Sequence, residues 1–461
     1  MQITPIFFAT DIMIYILVAV ALAFGWLQRR KETWRIAWRH ILKRKLAVCA
    51  LVVLVVYLSV GMLDSIHFQS SFRPGHTMSV LDAWLTPVGT SHEETYSAPF
   101  ATHLHSKRGM ILDSGKEVRN FPRLEAATLH LETPGDRTED IILRLLKGLL
   151  YALAVFLVIA APITFGRSRK HTMLWPAFLK QIMHGKTRYA WREGLITFLI
   201  MLVVIFCMAT LIPEYHIFGT NKVGQDVFYA ALKGVRTGLV IGTLTTLFML
   251  PFAVLLGTFA GYFGGWIDDV IQYVYTTLSS IPGVLLISAA ILSLQVYIAN
   301  HPDHFPSLES RADMRLLALC MILGVTSWTG LCRLLRAETL KVKQLEFIEA
   351  SRALGRHPLF TVFRHVVPNV MHIVLITIVL DFSGLVLAEA VLSYVGVGVD
   401  PTMHSWGNMI NSARLELARE PIVWWPLAAA FIFMFVLVLA ANFFADAVRD
   451  AFDPKLRNVN A

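Results

Sequence analysis

"EFIEASRALGRHPLFTVFRHVVPN", residues 346–369, is a charged stretch set between two runs that are almost purely apolar. It is broken once, by Gly355 and Pro358. Upstream of the break, "ETLKVKQLEFIEASRAL" carries good helix formers, with Leu340, Leu345, Phe347, Ile348 and Leu354 distributed among charges. Gly355 suits a helix C-cap, and Pro358 suits the first turn of a second helix. "LFTVFRHVV" then runs to Pro368, where the next apolar run takes over. The spacing predicts a compact helix–turn–helix beneath a bilayer. On local physics alone, an ordinary amphipathic pair resting on lipid headgroups is the favoured explanation.

The rest of the chain supplies that bilayer. Of 461 residues, 56% are hydrophobic and 16% charged, against about 25% charged in a soluble domain. The mean hydropathy is +0.58. Apolar runs near 6–26, 46–63, 144–165, 194–212, 239–262, 270–294, 316–333, 371–391 and 424–444 each approach the length that crosses about 30 Å of hydrocarbon. The expected fold is therefore an all-α integral membrane protein of about nine transmembrane helices. The first run lacks a basic start and leads straight into "QRRKETWRIAWRHILKRK", so it reads as a span and not as a cleavable signal.

A net charge of +9 raises the question of nucleic acid, but the Lys and Arg residues cluster between apolar runs, in segments 27–45, 166–193 and 333–370. That is the positive-inside pattern, with no nucleic-acid partner implied. Segments 296–315 and 392–423 carry two basic residues each and fall on the other side. Nine crossings then put the N-terminus outside and the C-terminus in the cytoplasm. Cys49, Cys207, Cys320 and Cys332 lie in or beside apolar runs, which implies no extracellular disulfide framework.

The stretch 64–140 is the one sizeable soluble piece. Its prolines, mixed charges and lack of amphipathic period predict an irregular external loop, an adjunct to the membrane core. His67, His76, His92, His103, His105 and His130 lack metal-ligand spacing and read as loop histidines. "GMILDSGKE", residues 109–117, has the wrong spacing for a phosphate-cradling Walker loop, and GxSxG and HExxH are absent. The chain thus has no recognisable catalytic, cofactor or metal site of its own. In the second half, Gly257 and Gly261 of "GTFAG" form a GxxxG pair that lets a neighbouring helix approach, and Pro251 can kink the same helix. Asp381 and Glu389 are carboxylates within the eighth run, where a charge costs about 2.5–3.5 kcal/mol on insertion scales. They read as pathway residues or as polar contacts to a partner subunit.

Beyond physics, Glu349-Ala350, Gly355 six residues after the glutamate and Pro368 thirteen after the glycine resemble the "EAA" loop of ABC importer permeases. Ser351 stands where a second alanine is usual, and "RHVVPN" resembles the version in dipeptide, oligopeptide and nickel permeases. "HIFGTNKVGQDVFYAALKGVRTGL" (216–239), "GTFAGYFGGWIDD" (257–269), "AEAVLSYVGVGVDPTMHSWGNMI" (388–410) and "ADAVRDAFDPKLR" (445–457) resemble further motifs of the same subfamily, in order. In the first of these, Asn221 and Gln225 replace the usual aspartate and arginine.

The resemblance covers roughly 190–457, so residues 194–457 are expected to form the six-helix permease domain. Residues 1–193 are then an N-terminal extension with three spans and the external loop. It implies a bacterial inner-membrane subunit working with a second permease, two cytoplasmic ATPase subunits that bind the ATP, an external solute-binding protein and the surrounding membrane lipid. Residues 346–369 would be the coupling loop inserted into the ATPase, with Glu349, Ala350, Ser351, Gly355 and Pro368 its motif residues. The implied cargo is a di- or oligopeptide, with nickel or another metal chelate as the alternative. A gradient-driven transporter would show inverted repeats, and a membrane enzyme would need convergent catalytic side chains. Neither signal is found in the sequence.

Overall fold

In the computed structural model, nine helices are long and apolar enough to cross a membrane, among the described residues 3–70, 77–86, 92–111, 117–128, 134–170, 174–302 and 307–452. In chain order the elements begin with β1 (Ile3–Ile6), α1 (Ala9–Gln28), α2 (Glu32–Lys43) and α3 (Lys45–Asp64). There follow β2 (His67–Ser70), β3 (Thr77–Ser79), α4 (Val80–Trp84), β4 (Arg108–Ile111) and β5 (Glu117–Asn120). Helices α5 (Arg137–Lys170), α6 (Trp175–Met183), α7 (Trp191–Leu211) and α8 (Val227–Phe263) come next. The chain continues through α9 (Gly265–Ser280), α10 (Gly283–Asn300), α11 (Leu308–Val342), α12 (Glu346–Ala353) and α13 (Pro358–Thr361). It closes with α14 (Val367–Tyr394), α15 (Trp406–Glu416) and α16 (Trp425–Phe452). The all-α membrane architecture expected from the apolar runs is what the chain adopts.

Two local expectations need correction. The run 270–294 is not one helix. Ile281 is extended (φ −86°, ψ 129°), because a residue before proline avoids the α region, and Pro282 has no amide to continue the ladder. Amphipathic α9 ends there and α10 is the span. The 64–140 stretch is also less irregular than its composition suggests. Strands β1, β2 and β3 form an antiparallel sheet with Ile3 opposite Ser70 and His67 opposite Ser79, and β4 pairs with β5. Strands of three or four residues are too short for period-two alternation to be read. Of the six loop histidines, His76 and His130 lie outside the described residues.

The chain divides into two compact units. The first comprises Met1–Ile6, Trp38–Thr237 and His404–Phe444. Within it, α5 and α7 touch through Gly148, where a Cβ would stand 2.8 Å from the Cys207 backbone. Tyr57 of α3 donates its hydroxyl to the Phe433 carbonyl of α16 at 3.0 Å. Trp406 is buried with its indole N–H on the Ala231 carbonyl at 2.9 Å. A Cβ on Gly234 would meet that ring at 2.8 Å, so the small residue makes the seat.

The second unit comprises Phe7–Ala37, Gly238–Met403 and Ala445–Ala461. One core joins Val240, Ile241 and Leu244 of α8 to Ile287 and Ile291 of α10 and Leu316, Leu319 and Leu323 of α11, with Met13, Ile14 and Leu17 of α1 packed against it. The start of α1 is held by Asp313, which accepts from the Thr10 amide at 3.2 Å and from its hydroxyl. Gly257 and Gly261 behave as the GxxxG reading predicts. Cβ atoms there would stand 2.8 Å from the Cys332 carbonyl and 2.6 Å from Thr339 Cβ, so only glycine allows α8 and α11 to touch.

Candidate functional site

The 346–369 loop folds as two short arms around one turn. α12 ends in a Schellman motif: the Gly355 amide donates to the Arg352 carbonyl at 3.0 Å, and the Arg356 amide to the Ser351 carbonyl at 3.3 Å. Gly355 sits at φ +70°, with open space where a Cβ would be. Backbone conformation and not crowding selects glycine there. His357 caps the second arm, its Nδ1 accepting from the Leu359 amide at 3.3 Å, and Pro358 opens α13.

The second arm is continuous with the membrane helix. Between α13 and α14, residues Val362–Val366 form a π-helical stretch. Pro368 lies in the first turn of α14 and has no N–H to donate, and its ring would press on the Arg364 carbonyl in a regular α-helix. A wider turn before it relieves that clash, so the arm flows into α14 without a break.

The loop has two unlike faces. Inward, Ile348, Val362 and Val366 are fully buried in one core with Ala260 and Tyr262 of α8, Leu331, Cys332 and Leu335 of α11, and Val370 of α14. The two arms are pinned by Ser351 and Thr361, whose buried hydroxyls lie 3.0 Å apart. Outward, Phe347, Leu354, Leu359, Phe360 and Phe363 are exposed, Leu354 at 80%. Glu349, Ala350 and Gly355 are exposed beside them. Arg356 stands over the Phe360 ring at 5.2 Å. An apolar patch rimmed by a carboxylate and guanidinium groups, on a fixed backbone, has the make-up of a protein-contact surface.

A further tie was not legible as a pair. Arg336 of α11 grips Asp268 of α9 with two parallel bonds, Nε to Oδ1 at 2.6 Å and Nη2 to Oδ2 at 2.5 Å. These hydrogen bonds hold the Asp268 carboxyl below the usual carboxylate range against the opposing effect of burial. Asp268 is the first aspartate of "GGWIDD", and the signal for it was its place in that motif. Nothing in spacing pointed to Arg336, or to Thr361 ten residues beyond Ser351.

The intramembrane carboxylates separate from the loop and from each other. Asp381 is half-buried on α14, while Glu389 is buried and accepts from the Ser393 hydroxyl at 2.7 Å. Ser393 Oγ in turn accepts from the Val399 amide at 3.2 Å, so Glu389 belongs to the hydrogen-bonded turn that closes α14. Asn221, where an aspartate is usual, accepts from the amides of Val223 and Gln225, both at 3.0 Å, and shapes its own loop without a charge.

Residues 253–458 match the family described as "Binding-protein-dependent transport system inner membrane component". The chain is 30% identical to the glutathione transport system permease protein GsiD of Pectobacterium atrosepticum, over 53% of this chain and 74% of that protein. It is 27% identical to the oligopeptide transport system permease protein OppC of Bacillus subtilis, over 59% of this chain and 92% of that one. To the dipeptide transport system permease protein DppC of Bacillus subtilis it is 29% identical, over 52% and 69% respectively.

Proposed function

The chain belongs to the inner-membrane components of binding-protein-dependent transport systems, the permease family of ABC importers, and we propose that it forms half of a peptide-uptake pathway. As a multi-pass permease it is one part of a multi-subunit transporter with ATPase and substrate-binding partners. In our reading the other parts are a second permease, two cytoplasmic ATPase subunits and one external solute-binding protein. ATP is bound and hydrolysed by the ATPases, and this chain conducts and transmits. Residues 194–457 carry the permease domain, and residues 1–193 are an addition to it. The N-terminus faces outward and the C-terminus the cytoplasm.

The observation that carries the reading is the two-faced loop at 346–369. An outer face of exposed Phe347, Leu354 and Phe360 offers a socket-filling surface, and an inner face of Ile348, Val362 and Val366 joins the helices that would move. Docking of Glu349, Ala350 and Gly355 into an ATPase cleft lets each ATPase state favour one arrangement of the pathway. Ser351 and Pro368 shape the loop from within. Asp381 and Glu389 are assigned to the pathway wall or its subunit border, Asp381 with the better claim because it is less buried. The peptide class is supported by the oligopeptide and dipeptide permeases among the relatives.

Uptake of a labelled tripeptide and of nickel, in cells lacking the chain and in cells with it restored, tests the reading. ATP-dependent tripeptide uptake that returns with the chain is expected. Restored nickel uptake without tripeptide uptake would replace the cargo assignment. Cysteines at Phe121 and Arg356 test the orientation: an impermeant maleimide should label the first and spare the second in intact cells.

A further inference from the structure

The N-terminal extension gathers positive charge at one end of three spans. α5 and α7 run antiparallel: they touch at Gly148 and Cys207 toward one end, and at the other Arg167 stands over the Trp191 ring at 5.8 Å. α3 and α7 begin side by side, where a Cβ on Gly194 would stand 2.8 Å from Val48 and the Cys49 thiol meets the Glu193 carbonyl at 3.9 Å. The Ala190 amide donates to the Leu42 carbonyl at 3.0 Å, which fastens the end of α2 to the start of α7. The first residues of α3 and α7 and the last of α5 therefore share one level.

Short α6 sits at that level, in contact with both α5 and α7. Its inner side buries Phe178 and Ile182, one turn apart, and Trp175 donates its indole N–H to the Thr164 hydroxyl at 3.1 Å. Its outer side leaves Ala177, Lys180, Met183 and His184 exposed. At its two ends, Leu174 and Met183 are 80% and 73% exposed. Segments 38–48 and 160–193 carry eleven lysine and arginine residues and a single acid, Glu193. That acid is already engaged by Lys45 at 3.4 Å and Arg192 at 3.1 Å. Lys43, Lys180, Lys186 and Arg188 are exposed, and among the described residues no carboxylate pairs with them.

Cations gathered without acids repel one another and gain from an anionic counterpart. The positive-inside rule accounts for their sign, but not for a fixed helix with exposed apolar ends between them. Beside a bilayer, Leu174 and Met183 enter the acyl boundary while Lys180 lays its stem along it and reaches the headgroups. Trp175 and Trp191 are of the residue type that collects at headgroup level. As spans, α3, α5 and α7 end at the membrane surface and hold α6 there. Apolar ends, aromatic rings and this depth favour a lipid over an acidic protein surface.

We propose that α6, the 184–192 turn and the first residues of α3 form a platform that holds anionic phospholipid headgroups, with Lys180, Lys186 and Arg188 as contacts. The platform lies wholly before the family-matched residues 253–458, so the proposal depends on neither the cargo nor the coupling loop.

The full-length chain in nanodiscs of phosphatidylglycerol and phosphatidylcholine, mixed equally, provides the test. After transfer to detergent, native mass spectrometry counts the phospholipids that stay bound. Phosphatidylglycerol should be enriched about fivefold for each engaged cation. Lys180→Glu with Lys186→Glu should return the retained lipid toward the bulk ratio. Lys107→Glu with Lys222→Glu makes the same change of charge on exposed residues beyond the other ends of these spans, and should leave the enrichment in place. Equal loss in the two pairs would mean that net charge alone recruits lipid, which overturns the platform. No enrichment in the unmodified chain overturns it as well. A photo-crosslinking amino acid in place of Met183, in native membranes, identifies the occupant even where the charge variants fail to fold. Attachment to phospholipid is expected. Attachment to an ATPase subunit instead would make the surface a protein contact and overturn the lipid assignment.

Discussion

Ser351 and Thr361 share a buried hydroxyl contact of 3.0 Å that ties the descending arm of the 346–369 loop to the ascending one. Both residues are buried, so the pair is an internal tie of the loop and not a surface contact. The two are close in space because Gly355 reverses the chain between them.

Removing one member should therefore cost more than removing both. Ser351→Ala leaves the Thr361 hydroxyl buried without its partner, at about 1–3 kcal/mol. The double change Ser351→Ala with Thr361→Val replaces both by apolar groups and should recover most of that loss. Thermal unfolding of the purified chain reads the cycle. Equal stability of the single and double variants would mean that the hydroxyls do not interact.

How much of this was legible beforehand follows from the range of each signal. The spans at Lys45–Asp64 and Trp191–Leu211 declare themselves through uninterrupted apolar composition. Gly355 and Pro358 announce the turn because their backbone limits are intrinsic. The faces of the loop were hidden. Ile348 and Phe347 are neighbours of similar hydrophobicity, yet one is fully buried and the other 44% exposed. Only packing against Val362 and Val366 decides between them. Long-range polar ties such as Glu93 with His216 join residues 123 positions apart. No local pattern encodes such a pairing.

The bidentate pair Arg336–Asp268 makes a separate prediction. Lysine in place of Arg336 keeps the charge but cannot form two parallel bonds to one carboxylate. Arg336→Lys should weaken the α9–α11 tie and lower transport several-fold, and Asp268→Asn should do the same without adding to it in the double variant. Additive losses would show that the two residues act apart.

His216 predicts a dependence on pH. Burial alone would lower its pKa, but hydrogen bonds and charge from Asp226 and Glu93 raise it from 6.5 to about 9. A raised folded-state pKa stabilises fully below the unfolded value, so this contribution is complete below pH about 6.5 and is lost as pH climbs through 9. Exchange protection of the amides at 125–127, which donate to Glu93, should fall across that window, at matched intrinsic exchange. In His216→Gln the fall should vanish. A pH-independent protection in the unmodified chain would rule out a charged His216 beside Glu93.

Gly355 provides the sharpest test of the loop's role. Its φ of +70° is a left-handed conformation, and a Cβ there would meet nothing within 4 Å. A substitution is therefore penalised by backbone strain alone, roughly 1–2 kcal/mol for most residues and least for asparagine. Gly355→Val should displace the second arm while the cores around Leu335 and Val370 stay packed. We expect normal membrane insertion, lost peptide uptake and ATPase activity that no longer responds to loaded binding protein. Gly355→Asn, which tolerates the same turn, should retain most of the uptake. A loop that merely rests on headgroups requires no particular turn, so both variants would then transport normally. Normal uptake in Gly355→Val would remove the coupling assignment. Equal loss in Gly355→Asn would trace the defect to the outer surface and not to the turn.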